Sequence, residues 1–220
     1  MPKKKRIHFQ ENLTFTHLLQ PDYTTLAGGF DMKSHWHERF FHNSNPIIVE
    51  LGCGKGEYTV GLAELFTDKN FIGIDWKGAR LWRGCKTVAE KGMHNAGFIR
   101  ALVDHVENLF APDEINEIWI TFPDPQPKRE HRRLTSPGFL EKYSKILCRN
   151  GLIHLKTDDP DFFQYTLGII SDYGHRLVWS TNDLYHCGTG DVVIKIQTYY
   201  EKIWLESEKK ICYLQFQLSL

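Results

Sequence analysis

The chain of 220 residues lacks the sequence features of a membrane protein or of a disulfide-stapled secreted protein. No apolar run approaches the length of a membrane span. Polar residues follow the N-terminal cluster Lys3–Arg6, where a signal peptide would need an apolar core. The cysteines are five and form no C-x-x-C pair, a pattern typical of reduced thiols. We therefore expect a cytoplasmic protein without a membrane partner.

The chain also lacks an excess of charge of either sign and any spacing typical of a metal site. It has 27 basic and 27 acidic residues, so binding to a nucleic acid would require local clusters of cations. Eleven histidines are present, but none forms an H-x-x-x-H or H-E-x-x-H set. We expect no bound metal.

The segment Ile47–Gly56 reads I-I-V-E-L-G-C-G-K-G, a buried strand that runs into a glycine-rich turn. A phosphate-binding P-loop would require Ser or Thr after Lys55, and the chain has Gly56. A dinucleotide-binding turn would require glycine at position 57, where Glu57 would repel a pyrophosphate. The remaining interpretations are a turn for an adenosine-bearing cofactor without phosphate and an ordinary turn that binds nothing.

Strands and helices alternate from residue 46 onward, which predicts an open, mostly parallel sheet with helices on both faces. The alternation defines one domain over 46–220, preceded by an N-terminal extension over 1–45 with a short helix near 33–41. The predicted strands are 46–52, 70–75, 96–102, 117–122, 151–156, 176–180 and 211–218. The predicted helices are 56–67, 77–92, 104–110, 136–149, 159–173 and 198–208, with Asn150-Gly151 as a helix stop.

Acidic residues lie at or just after the ends of the first four predicted strands, at the sheet edge where ligands of such folds bind. Glu50 precedes the glycines, and Asp75 has the spacing of an acid that holds a ribose diol, although it could simply cap the next helix. Asp104 could accept from an adenine amino group or act as a cap. Asp124 lies among three prolines that fix the backbone, which favours a functional role where the substrate should lie.

Three further motifs lie near the same predicted edge. The first is a cluster of fixed cations suited to RNA phosphates, although a solvated loop is the alternative: Lys128, Arg129, Arg132 and Arg133. The second is Lys156-Thr157-Asp158. The third is Thr198-Tyr199-Tyr200-Glu201, which places a hydroxyl and a carboxylate one helical turn apart.

Taken together, four motifs resemble those of the bacterial tRNA (guanine-N7-)-methyltransferases, over about residues 46–204. They are E-x-G-x-G-x-G, F-P-D-P with its basic continuation, K-T-D and T-x-x-E. The resemblance implies a Rossmann-like class I methyltransferase fold with a seven-stranded sheet, and S-adenosylmethionine as cofactor. It implies a cofactor site formed by Glu50, Gly52, Gly54, Asp75, Asp104 and Asp124, with Asp124 also catalytic. It further implies tRNA as substrate, with the guanosine held by Lys128, Asp158, Thr198, Tyr199, Tyr200 and Glu201.

The chain departs from this family at Gln126, where a tryptophan is usual, and in a basic loop about two residues shorter. The expected reaction is methylation of guanine N7 in the tRNA variable loop. Two other functions stay open: a methyltransferase for a small molecule or protein, and a non-catalytic RNA-binding subunit. The sequence leaves open whether the protein is a monomer or a homodimer.

Overall fold

The computed structural model describes residues 3–188 and 191–219, which build one eight-stranded sheet. The strands run in the order β1-β4-β3-β2-β5-β6-β8-β7. Their bounds are β1 Leu18–Leu19, β2 Ile47–Leu51, β3 Asn70–Ile74, β4 Ala96–Ile99, β5 Ile115–Thr121, β6 Leu147–Thr157, β7 Arg176–Thr181 and β8 Cys212–Gln217. Only β8 runs antiparallel to its neighbours within the described chain. The predicted mostly parallel α/β sheet is confirmed.

Helices cover both faces of the sheet. The α-helices are α1 Lys3–Glu11, α2 Tyr23–Gly28, α3 Glu57–Leu65, α4 Gly78–Lys91, α5 Val106–Leu109, α6 Pro137–Ser144, α7 Pro160–Asp172, α8 Asp191–Lys195 and α9 Tyr199–Glu206. One apolar core lies beneath α5, α6 and α7, and the other beneath α3, α4 and α8. Every residue of β2, β3 and β4 is buried, as expected for parallel strands with helices on both faces of the sheet.

The N-terminal region departs most from the sequence-based expectations. Leu18–Leu19 pairs with β4 and adds an eighth strand to the predicted seven. Helices α1 and α2 were not predicted, and the short helix expected near 33–41 is a π-helix over Trp36–Phe41. A two-residue strand is too short to show an alternating pattern, so its pairing depends on the tertiary structure.

The predicted helix 136–149 is too long, and the predicted stop at Asn150-Gly151 is wrong. Helix α6 ends at Ser144, and both residues lie within β6. Asn150 has a φ of 66°, and the pairing of β5 with β6 shifts register nearby. A Cβ at Gly151 would lie 3.0 Å from the Cys148 carbonyl oxygen. Glycine is therefore required by a close backbone approach at an irregular strand.

The register of the parallel strands brings the predicted site residues to one edge. Leu51 pairs with Ile74 and Ile120, and Ile74 pairs with Ile99. The residues after these strands therefore emerge side by side, as in other open α/β sheets. Within the described ranges, no helix combines the length and apolarity that crossing a bilayer would require.

Candidate active site

The glycine-rich turn after β2 depends on left-handed backbone angles. Gly52, Gly54 and Gly56 have φ values of 73°, 59° and 70°, which side chains rarely adopt. At Gly56 an added Cβ would also lie 2.5 Å from the Phe98 ring. The amide N–H groups of Gly52 and Cys53 both donate to the Ile74 carbonyl, at 2.8 and 3.0 Å. The turn is thereby fixed against the end of β3.

Glu50, the acid before the turn, is buried and accepts hydrogen bonds from neighbouring threonines. One carboxylate oxygen accepts from the Thr59 amide at 2.8 Å and from the Thr59 hydroxyl. The other accepts from the Thr121 hydroxyl at 2.5 Å. Burial raises the pKa of Glu50 to about 7 even though these donors oppose the shift. A cation bound nearby would favour the charged carboxylate.

Asp75 connects the glycine turn to the start of α4. Its Oδ2 accepts from the Gly54 amide at 3.0 Å and its Oδ1 from the Lys77 amide at 2.6 Å. Two bonds leave part of the accepting capacity of a carboxylate unused. The structure thus shows a local structural role for Asp75, and the same carboxylate lies in a cleft.

Two adjoining clefts open at this edge, and Gly52 lines both. The inner cleft has a volume of about 280 Å3. Its walls include the acid Glu50, the cation Arg80 and three aromatic rings: Phe122, Tyr200 and Trp204. The Phe122 and Trp204 ring centroids lie 4.9 Å apart. An aromatic wall beside a buried carboxylate suits a flat heterocycle that carries N–H donors.

The outer cleft has a volume of about 780 Å3 and lies on the other side of Gly52. Asp75 and Asp104 line it together with exposed apolar groups, among them Trp76 and Leu102. Arg132 contributes from the basic loop. A cleft with two carboxylates and exposed apolar side chains suits an adenosine group: the acids can accept from hydroxyl and amino groups, and the apolar surface can cover the base.

Asp124 lies exposed on the loop after β5 and is not among the described residues that line either cleft. Phe122, two residues before it, lines the inner cleft, and Gln126, two residues after it, lines the outer cleft. The Asp124 Oδ1 accepts from the Gln126 amide at 3.1 Å. Phe122 and Gln126 have φ values of 48° and 46°. Strained positions of this kind persist where surrounding contacts hold them, often at functional sites.

Arg133 does not fit the RNA contact predicted for it. Its side chain is only 6% exposed, and its Nε donates to the Pro125 carbonyl at 2.9 Å. The guanidinium also lies 4.3 Å from the Tyr165 ring centroid of α7. Arg133 therefore fixes the proline-rich loop from beneath. Lys128, Arg129 and Arg132 are exposed and lie on the surface of the loop.

The predicted substrate residues Asp158, Thr198, Tyr199 and Tyr200 differ in their access to the clefts. Thr198 and Tyr200 line the inner cleft, and the Tyr199 ring lies 4.6 Å from the Lys55 ammonium. Asp158 pairs with Lys209 at 2.5 Å and is not among the described residues that line either cleft. Of these residues, only Thr198 and Tyr200 are among the described residues that line the inner cleft.

Glu201 lies beneath the inner cleft and is fully buried. It forms a capping box with Thr198 at the start of α9 and accepts from the Tyr185 hydroxyl at 2.7 Å. It also pairs with the buried Lys156 at 2.6 Å. Its carboxylate has no remaining exposed surface for a ligand, so the predicted substrate contact does not fit this geometry.

Sequence reasoning missed several residues that line the clefts: Trp76, Arg80, Leu102, Phe122 and Trp204. Trp76 directly follows Asp75, and Phe122 directly follows β5, so position after a strand was an available signal. Trp204 is one turn beyond Tyr200 on α9, a relation visible only once the helix is placed. Among the described residues, no group of three or more His, Cys, Asp or Glu side chains could hold a metal ion.

Comparison with known proteins gives a consistent result. A protein-family model described as "Putative methyltransferase" matches residues 44–214. A tRNA (guanine-N(7)-)-methyltransferase of Christiangramia forsetii is 47% identical, covering 99% of both chains. One of Bacteroides fragilis is 45% identical, covering 99% of this chain and 87% of the relative.

A solved structure supports the same fold at low sequence identity. The 16S rRNA methyltransferase KamB superposes with a TM-score of 0.65 at 12% identity, covering 83% of this chain and 92% of KamB. At this identity the likeness concerns the fold alone.

Proposed function

Because the chain belongs to the tRNA (guanine-N7-)-methyltransferase family, we propose that it methylates N7 of a guanosine in the variable loop of tRNA. The observation that carries the site assignment is the pair of clefts that share Gly52. One is lined by Asp75 and Asp104 with exposed apolar groups, and the other by Glu50 with the rings of Phe122, Tyr200 and Trp204. The reaction requires the methyl group on the cofactor's sulfur to lie beside guanine N7, so cofactor and base must occupy adjoining sites, and this arrangement offers a place for each.

S-adenosylmethionine is the cofactor, and the residues of the outer cleft fit it. Asp75 has accepting capacity for the ribose diol, and Asp104 is exposed beside the apolar Leu102. The bound cofactor supplies an activated methyl group on a cationic sulfur. Glu50 lies on the other side of Gly52, where a carboxylate favours cationic groups.

The inner cleft is proposed to hold the guanine. Phe122, Tyr200 and Trp204 offer faces on which an unstacked base can stack. Asp124 lies on the loop whose residues Phe122 and Gln126 line the two clefts. It is proposed to accept from the N1–H and N2–H₂ donors of guanine, a set that adenine does not present. Lys128 and Asp158, the remaining predicted substrate residues, would then contact the nucleotide outside the cleft.

Chemistry at N7 requires positioning more than proton transfer. The nitrogen has a free lone pair and no proton to lose, so the protein must mainly align it with the methyl group. The fixed backbone of residues 122–126 and the Arg133 contact beneath it support such alignment. Asp124 is accordingly proposed as the catalytic residue that orients the base.

The exposed cations of the basic loop are proposed to bind tRNA phosphates. Lys128, Arg129 and Arg132 are free of ion pairs among the described residues, and Arg132 reaches the outer cleft. An RNA base must leave its stack to enter a cleft, which favours a loop nucleotide as target. We expect this activity in the cytoplasm, where tRNA is available.

A labelling experiment tests the proposed substrate class. Purified protein is incubated with methyl-labelled S-adenosylmethionine and separate tRNA, protein and metabolite fractions. We expect label in tRNA alone. Label in the protein or metabolite fraction would support a different methyltransferase. Absence of both labelling and cofactor binding by calorimetry would support a non-catalytic subunit.

A further inference from the structure

A second cationic surface is formed by α1 and the first half of α4, which follows β3, whereas the basic loop follows β5. We name it the α1–α4 basic face, and its five exposed residues are Lys5, Arg6, Lys77, Arg80 and Arg83. None of them takes part in an ion pair within residues 3–188 and 191–219. Arg80 and Arg83 lie three residues apart on α4 and so are neighbours on its surface, and Lys77 is its N-cap residue.

Helix α1 is fixed against α4 by specific contacts. The His8 and Trp82 rings stack with centroids 3.8 Å apart and planes 3° from parallel. The Asn12 side chain is buried and donates to the Gly78 carbonyl at 2.7 Å. His8 lies three residues after Lys5 on α1, and Trp82 directly precedes Arg83 on α4, so the exposed cations belong to two helices that pack against each other.

Folding does not account for this concentration of positive charge. The first turn of α1 contains no acidic residue, although a helix N-terminus disfavours cations. Two of the carboxylates nearby are hydrogen-bonded to other groups. Glu11 accepts from the Trp82 indole, and Glu57 accepts from the Tyr199 amide at 3.3 Å. The like charges repel one another, and a polyanion would relieve that repulsion.

The position of this surface relates it to the clefts. Arg80 lines the inner cleft, and Lys77 adjoins Trp76, which lines the outer cleft. Arg132, on the loop after β5, also lines the outer cleft, and β3 and β5 lie on either side of β2 in the sheet. Exposed cations therefore flank the opening from two sides, which matches a chain of phosphates that passes over it.

We propose that the α1–α4 basic face binds the phosphate backbone of the tRNA, so that the RNA is held on both sides of the clefts. This inference rests on the proposed function and deepens it. It gives the N-terminal helix a role in binding substrate. It also predicts that the electrostatic part of binding is shared between two separate surfaces.

The test compares two double variants that remove the same charge. Arg6→Ala/Arg83→Ala removes two cations from the basic face. Arg149→Ala/Arg176→Ala removes two exposed arginines near the starts of β6 and β7, at the opposite edge of the sheet. Dissociation constants for tRNA are measured from low to high salt for both variants and for the wild-type protein. Cofactor affinity and thermal melting check that each variant is folded.

We expect the first variant to bind tRNA about tenfold more weakly near 0.1 M salt, with a salt slope shallower by about two. The control should keep the wild-type affinity and slope. An unchanged slope in the first variant, or an equal loss in the control, would overturn the inference. A different outcome would also overturn it: the wild-type protein binds anionic phospholipid vesicles, and the first variant loses vesicle binding while its affinity for tRNA stays unchanged. If the wild-type protein itself did not bind tRNA, the proposed function would fail instead.

Discussion

The Lys156 ammonium lies 2.6 Å from the Glu201 carboxylate, and neither side chain exposes any surface to solvent. Lys156 also donates to the carbonyls of Val193, at 2.6 Å, and Ile196, at 3.3 Å. Burial lowers the pKa of Lys156, and the adjacent Glu201 opposes that shift. The pair joins the end of β6 to the segment that carries Thr198 and Tyr200. We infer that it positions the wall of the inner cleft.

Removing one member of this pair should destabilise the fold strongly. Lys156→Met leaves a buried carboxylate unpaired, which typically costs about 3–5 kcal/mol. The double variant Lys156→Met/Glu201→Leu should lose less stability than the single variant, because no buried charge remains unpaired. Urea unfolding measures both. Lys91→Met, which breaks the exposed pair with Glu64, is the control and should change stability by less than about 1 kcal/mol.

The burial of Glu50 predicts a pH dependence of stability. Its folded pKa of about 7 lies above its ordinary value of 4.5, so the folded state binds the proton more tightly. The resulting stabilisation is complete below about pH 4.5 and disappears as the pH rises through 7.

Glu50→Gln should abolish that dependence. Relative to the variant, the wild-type protein should lose about 3 kcal/mol of unfolding free energy between pH 4.5 and 8, because each pKa unit corresponds to about 1.4 kcal/mol. Urea unfolding at several pH values measures the difference, and Glu206→Gln on the exposed side of α9 is the control. If the free energy of unfolding depended on pH in the same way for the wild-type protein and for Glu50→Gln, the raised pKa of Glu50 would be contradicted.

Replacement of Asp124 tests its proposed catalytic role. Asp124→Asn keeps an oxygen that can accept from the Gln126 amide but removes the negative charge that is proposed to orient the base. We expect kcat/KM for tRNA to fall about a hundredfold through misplacement of guanine, with melting temperature unchanged. Asp172→Asn at the end of α7 is the matched exposed control. Undiminished turnover by Asp124→Asn would remove Asp124 from the mechanism.

The arginines of the basic loop should separate into two functional groups. Arg129→Ala/Arg132→Ala should make the salt slope of tRNA binding shallower by about two. Arg133→Ala should instead lower stability by about 1–3 kcal/mol, because the bond to the Pro125 carbonyl is lost. Filter binding and urea unfolding distinguish the two effects. An intact fold with a reduced slope in Arg133→Ala would support the original prediction of an RNA contact.

The sequence predicted the sheet because its central strands are continuous apolar runs. It placed Glu50, the glycines and Asp75 together because residues after adjacent parallel strands must meet at one edge. It could not distinguish Arg132 from Arg133, since one faces a cleft and the other lies under the loop against Tyr165. Similarly, T-x-x-E predicts both a substrate contact and a capping box. Only the tertiary position of Lys156 shows that Glu201 is buried.

The most direct test of the central claim is to map the methylated atom. A tRNA transcript is methylated by the purified protein, treated with borohydride and aniline, and examined for chain cleavage. The account predicts one break, at a guanosine of the variable loop, which disappears when that residue is 7-deazaguanosine. Methyl transfer to the 7-deaza transcript, or to a different base, would contradict it.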